Sequence, residues 1–196
     1  MIFIFDIDDT ISNTGKYGKE YILNYIKNNN LPYKQKEESV KYPEEQFDWT
    51  YEEAHNWYKE HGDEMLLSFP CFEGAIETIN KLYETGHEII FATARSTDWY
   101  NRPIETTRKW LKMNHIKYNK LYTGRMDKEK ICELEKANIF VDDDLNTCLR
   151  VSQYFEGSKN KVFLMNTCKD KRKDLPSNII RINQIKDIPS ILKLDI

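Results

Sequence analysis

Short unbroken apolar runs, each stopping at polar or acidic residues, recur along the chain at Ile2 to Phe5, His87 to Thr93, Asn138 to Val141 and Lys161 to Met165. Runs of this length without alternation fit strands covered on both faces. Between them the apolar positions change to helical spacing. Glu73 to Thr85 places Ile76, Ile79, Leu82 and Tyr83 on one face and closes on Gly86, the residue type expected just past a helix end. Pro103 suits the opening of a helix that runs to about Asn114, and Asp127 suits the cap of another that runs to about Lys136. Strands alternating with helices predict an α/β fold, a Rossmann-like parallel sheet with helices on both faces.

One interval is too long for that scheme. From Asp6 to Thr93 the chain advances 87 residues, where a strand, a helix and the next strand need only about 30. The surplus predicts a small helical cap inserted after the first strand, over residues 12–69, with a core domain built from residues 1–11 and 70–196. Within the insert Thr50 and Glu53 read as a capping box, and Ala54, Trp57, Tyr58, His61 and Met65 follow at helical spacing. An earlier helix, from about Lys16 to Asn28, carries Tyr21, Ile22, Tyr25 and Ile26. The linker from Asn29 to Asp48 is polar and charged apart from Tyr33, Tyr42 and Phe47, and no internal repeat is evident.

Composition narrows the classes of function. A length of 196 residues fits one domain carrying an insertion. With 29 basic against 32 acidic residues the formal charge is -3, so the chain has no general basic excess for a nucleic-acid backbone, and nucleic acid is not the expected partner. Cys71, Cys132, Cys148 and Cys168 form no CxxC pair and have no His at ligand spacing, which predicts reduced thiols and neither a zinc site nor a disulfide framework. The apolar start runs straight into Asp6, Asp8 and Asp9, and no stretch reaches the ~18 apolar residues of a membrane span; a cytoplasmic protein without a membrane partner is expected.

The chemistry gathers where the apolar runs stop. In Asp6-Ile7-Asp8-Asp9-Thr10, a turn after the strand would aim Asp6 and Asp8 into one pocket, where two carboxylates can divide the work of nucleophile and acid/base. Thr93, in Phe91-Ala92-Thr93-Ala94-Arg95, puts a hydroxyl at a second strand end, where it can bond a phosphate oxygen. Asp142, Asp143 and Asp144 close a third run and would repel one another unless a cation or a positive side chain stood near. A hard cation such as Mg²⁺ suits oxygen ligands of this kind. Lys128, at a helix start, offers a positive charge, with Lys130 as its rival. Phe47 and Trp49 precede the cap helix and are candidates to stack on a substrate, whereas Trp57 and Tyr58 read as the cap's own core.

Taken in order, DxDxT, Thr, Lys and paired Asp at successive strand ends resemble the haloacid dehalogenase superfamily of phosphohydrolases, from Met1 to about Arg150. That resemblance implies Asp6 as nucleophile, Asp8 as general acid and base, and Lys128 as the charge-neutralising residue. It also implies a phosphate-binding segment at Thr93, Ala94 and Arg95. Mg²⁺ would be held by Asp6, the backbone carbonyl of Asp8 and Asp143, with Asp142 as the alternative acid. The acid at position 8 argues against the dehalogenase branch.

The whole chain is similar to nucleotidases related to 5'(3')-deoxyribonucleotidase through Phe47-Asp48-Trp49, the block from Pro70 to Ala75, and the tail segments Phe163 to Thr167 and Leu175 to Arg181. Those enzymes read DxDGV where this chain has Asp8-Asp9-Thr10, a change that keeps the chemistry and leaves the substrate open. The implied activity is a Mg²⁺-dependent phosphomonoesterase working through an aspartyl phosphate, with (deoxy)nucleoside 5'-monophosphates as substrates. An alternative is a polynucleotide 3'-phosphatase, which Arg95-Ser96 followed by Glu105 to Leu111 resembles; without a P-loop no kinase half is present. A receiver-like phosphoacceptor module also sets acids, Thr and Lys around Mg²⁺, but lacks an aromatic helical insert at this place.

Overall fold

The computed structural model describes residues 1–34, 46–167 and 170–195. Tyr42 and Cys168 lie outside the described residues. Six strands form one sheet: β1 (Ile2–Phe5), β2 (Glu88–Thr93), β3 (Lys120–Thr123), β4 (Ile139–Asp142), β5 (Lys161–Met165) and β6 (Ile179–Ile182). All pairings are parallel and the order is β3-β2-β1-β4-β5-β6. The chain therefore winds outward from β1 to one edge, then returns to start β4 on the other side of β1. In sheets of this kind ligands bind beyond the carboxyl ends of the strands, at the point where the winding reverses. Here that point lies between β1 and β4.

Alternation along each strand builds two cores. Phe3, Phe5, Ile89, Phe91, Ile139, Val141 and Phe163 face one side, under α3 (Ala75–Glu84), α4 (Pro103–Met113) and α7 (Ile188–Leu192). Ile4, Ile90, Ala92, Phe140, Val162 and Leu164 face the other, under α5 (Lys128–Glu135) and α6 (Leu145–Tyr154). Helices thus cover both faces, as the sequence pattern predicts. Four elements escaped that pattern, the five-residue α7 among them. β3 is an edge strand of four residues whose Lys120 is exposed, and β6 is the opposite edge with Arg181 in its middle, so neither shows a buried apolar run. α6 begins inside the acidic run itself: the Asp144 carboxylate accepts the Thr147 N–H at 2.8 Å.

Two further helices, α1 (Thr14–Asn28) and α2 (Tyr51–Ser68), lie between β1 and α3 and have a cluster of their own built from Ile22, Ile26, Phe47, Trp57, Tyr58, Met65, Leu66 and Phe69. The capping box of Thr50 and Glu53 opens α2. The far end of this helix is seated on α4: the Trp110 indole N–H donates to the Phe69 carbonyl at 2.8 Å, and Asp63 accepts from the Arg102 N–H and the Thr106 hydroxyl. Among the described residues no helix is long and apolar enough to cross a membrane.

Candidate active site

The end of β1 is tied to β4 by the Asp6 N–H, which donates to the Val141 carbonyl at 2.9 Å. The chain then leaves the strand direction. The Ile7 carbonyl accepts the N–H groups of Thr10, Ile11 and Ser12, and Asp9 takes a left-handed backbone with φ of 55°, a conformation Asp tolerates better than most residues. Ile7 is fully buried, so the turn is anchored while Asp6 and Asp8 are released toward the carboxyl end of the sheet. Asp9 in turn accepts the Gly15 N–H at 2.7 Å, at the start of α1. A Cβ at position 15 would stand 2.8 Å from the Asp9 carboxylate, so a larger residue would have to displace it.

The carboxylates divide into two sets with different partners. Lys128, the first residue of α5, places Nζ 2.6 Å from Asp6 Oδ1 and 2.6 Å from Asp142 Oδ2. The other oxygen of Asp142 accepts the Asp144 N–H at 2.7 Å. Asp143 accepts no hydrogen bond among the described residues. One oxygen each from Asp6, Asp142 and Asp143 lies within 4.8 Å of the others. Burial, with repulsion from Asp142 and Asp8, pushes Asp6 up to about 7 against the pull of Lys128. Burial and the neighbouring acids push Asp143 up to about 9. One ammonium is too little positive charge for three buried acids, and the hard oxygens that remain suit a divalent cation. The donor set fits Mg²⁺, with Asp143 as the carboxylate left without a partner.

Asp8 belongs to the second set. Its Oδ1 accepts the Thr14 hydroxyl at 2.7 Å and Arg95 Nη2 at 2.7 Å, and its Oδ2 accepts Arg95 Nε at 2.9 Å and the Thr93 hydroxyl at 3.4 Å. Burial alone would raise this group, but the charge and hydrogen bonds of Arg95, with Thr14, hold it below its ordinary range. Asp6 and Asp8 therefore lie close enough to repel each other and stand under opposite influences.

The structure brings together Asp6, Asp8, Thr93, Lys128, Asp142 and Asp143, and leaves Lys130 outside, exposed and paired with Asp127 at 2.7 Å. That pair also occupies the Asp127 carboxylate, which makes no capping bond to α5. Ala94 is exposed in the turn beyond Thr93. Arg95 has its side chain buried against Asp8, Thr107 and Trp110.

Phe47 is 1% exposed and packs in the core of the α1 and α2 pair. Trp49 packs on Trp57, which meets Tyr25, and lines an open cavity of about 700 Å³ together with Phe47, Tyr25, Tyr33 and Asn56. Tyr25 lies eleven residues beyond Thr14 in α1, about 16 Å of helix rise from the end that touches Asp8. Sequence reasoning missed Thr14 and Thr107; the first stands just before a helical apolar pattern, where hydroxyl residues gather, and the second carries no local signal.

A Bacillus cereus protein named "Putative nucleotidase" is 33% identical over 150 residues, spanning 73% of this chain and 76% of that protein. The chain belongs to the haloacid dehalogenase superfamily of phosphohydrolases. It is accordingly an HAD-type phosphatase. No family model matches the sequence. Among solved structures, the HAD-hydrolase YfnB from Bacillus subtilis, in a magnesium-bound form, aligns over 98% of each chain with a TM-score of 0.64 at 14% identity. D,D-heptose 1,7-bisphosphate phosphatase from Burkholderia thailandensis aligns over 99% of each chain with a TM-score of 0.58 at 12% identity. At such identities these two HAD structures speak for the shared fold alone.

Proposed function

We propose that this HAD phosphatase is a Mg²⁺-dependent nucleotidase that hydrolyses (deoxy)nucleoside 5'-monophosphates through an aspartyl phosphate on Asp6. The observation that carries the reading is the pairing of Asp6 with Lys128 beside a second, separately held carboxylate, Asp8. Asp6, Asp143 and the Asp8 carbonyl would hold Mg²⁺, which supplies positive charge against the phosphate oxygens when bound. Asp142, with both oxygens engaged by Lys128 and the Asp144 N–H, would hold Lys128 in place.

A phosphate dianion repels a carboxylate nucleophile, and Lys128 and the Thr93 hydroxyl are the chain's own means of offsetting that repulsion. Asp6 forms a bond to phosphorus as the bond to the leaving oxygen breaks. Asp8 carries the proton that the leaving oxygen takes; arrival of the dianion beside it raises its proton affinity from the low resting value. The ionised Asp8 then takes a proton from the water that displaces Asp6 from phosphorus, which frees the Asp6 carboxylate and returns Asp8 to its protonated form.

Residues 12–69 form the cap in this reading. α1 reaches the site through Thr14 and Gly15, and α2 is seated on α4, so the pair is placed to shield the pocket from water. The nucleotide assignment is supported by the nucleotidase name of the Bacillus cereus relative.

Phosphate release from a panel of nucleoside monophosphates, sugar phosphates and 3'-phosphorylated oligonucleotides tests the reading. Nucleoside monophosphates should be the best substrates, with deoxyribonucleotides at least equal to ribonucleotides. A large preference for the oligonucleotides would replace the nucleotidase by a polynucleotide 3'-phosphatase, and a preference for sugar phosphates would remove the nucleotide from the proposal.

A further inference from the structure

We infer that Arg95 is a positioning residue for Asp8 and makes no contact with substrate; the inference rests on the acid and base role proposed above for Asp8. The decisive contrast is exposure within one ion pair. The Arg95 side chain is 1% exposed and that of Asp8 is 31% exposed, so a substrate reaches the carboxylate and not the guanidinium behind it.

The geometry is that of a clamp. Nε meets Oδ2 at 2.9 Å and Nη2 meets Oδ1 at 2.7 Å, two near-parallel bonds that fix the plane of the carboxylate as well as its position. A single ammonium could supply the charge but not the plane. Arg95 is itself held from behind: Nη1 donates to the Thr107 hydroxyl at 3.4 Å, and the guanidinium lies 5.6 Å from the centre of the Trp110 ring. Trp110 is fully buried and its indole N–H is bound to the Phe69 carbonyl, at the end of α2. α4 thus carries both the bed of Arg95 and the seat of α2.

Burying a guanidinium is costly, and one ion pair to a half-exposed carboxylate is a weak device for stability. What the arrangement supplies is orientation. A carboxylate that exchanges a proton with the leaving oxygen and then with water works only within hydrogen-bond reach of both. Thr14 approaches Asp8 Oδ1 from the α1 side, while Arg95 bonds both oxygens of the carboxylate.

The test uses the full chain with Arg95→Gln, Arg95→Lys, Asp8→Asn and the double variant Arg95→Gln/Asp8→Asn. A nucleoside monophosphate, whose alkoxide needs a proton to leave, is compared with p-nitrophenyl phosphate, whose phenolate leaves without one. Arg95→Gln should lower kcat on the nucleotide by about 100-fold with KM and inhibition by inorganic phosphate within about 3-fold of wild type, and should slow the aryl phosphate about 10-fold less. Arg95→Lys should not restore the nucleotide rate, and the double variant should be no slower than Asp8→Asn alone.

A KM and a phosphate inhibition constant that both rise tenfold or more with kcat retained would make Arg95 a substrate ligand and overturn the inference, while an impaired Asp8→Asn left the catalytic reading standing. Losses that multiply in the double variant would overturn it too. A fully active Asp8→Asn would remove the reading beneath it, and the inference with it. Should Arg95→Gln fail to fold, Thr107→Val removes the support behind the clamp without touching either charge. It should lower the ratio of nucleotide to aryl phosphate turnover, and an unchanged ratio would overturn the inference.

Discussion

Lys128 Nζ stands 2.6 Å from Asp6 Oδ1 across 122 residues of sequence, and the same ammonium meets Asp142 at 2.6 Å. The side chains are 13%, 8% and 1% exposed, so this is a buried charge cluster and not a surface pair. Lys128→Ala should abolish most activity, by about 100-fold or more. It should also cost about 3 kcal/mol of stability in the metal-free protein, because two buried acids lose their counter-charge. Lys130→Ala, at an exposed pair with Asp127, should change neither rate nor melting temperature measurably. Steady-state phosphate release and thermal melts of the two variants side by side check this.

The acids at the site predict a pH dependence with a definite sign. Folding raises Asp6 to about 7 and Asp143 to about 9 from an ordinary 3.8, so the folded chain binds more protons than the unfolded chain between those values. Stability of the metal-free protein should therefore fall as pH climbs from about 4 to about 9. A bound divalent cation needs the ionised carboxylates, so added Mg²⁺ should raise the melting temperature by about 3 °C or more near pH 8 and much less near pH 5. Asp143→Asn should weaken the Mg²⁺ response more than Asp142→Asn. Melts across pH with and without Mg²⁺ check all three statements; a metal-free stability that does not fall with pH would refute the first, and a Mg²⁺ shift equal at both pH values would refute the second.

Phe47 gives a prediction opposite to the one its sequence position invites. Phe47→Ala should lower stability by about 3 kcal/mol or more, since the ring is fully enclosed by the cluster shared by α1 and α2. At temperatures where the variant remains folded, its preference between a nucleotide and an aryl phosphate should match that of wild type. A lost preference in the folded variant would return Phe47 to the substrate pocket.

The parallel sheet was legible because β1, β2, β4 and β5 are buried on both faces and so read as unbroken apolar runs, while the edge strands β3 and β6 carry Lys120 and Arg181 and do not. The carboxylates and Lys128 were legible because each stands at the end of such a run or at a helix start. The resemblance implies a phosphate ligand at Arg95, and the sequence carries no mark that Thr107 and Trp110, brought beside it by α4, enclose its side chain. An aromatic before a helix carries no mark of whether tertiary packing will cover it, as it covers Phe47. Thr14 on Asp8 joins residues only six apart, yet the turn at Asp9 that makes it possible shows in sequence only as an Asp.

That Asp6 attacks phosphorus is tested most directly by quenching the enzyme during turnover of a nucleoside monophosphate, reducing it with borohydride and mapping the product by peptide mass spectrometry. An acyl phosphate on Asp6 should appear as homoserine at position 6 in the wild-type chain, and Asp6→Asn should show neither the reduced residue nor turnover. Phosphate release without modification at position 6 but with the reduced residue at position 8, or an Asp6→Asn variant that turns over at the wild-type rate, would contradict it.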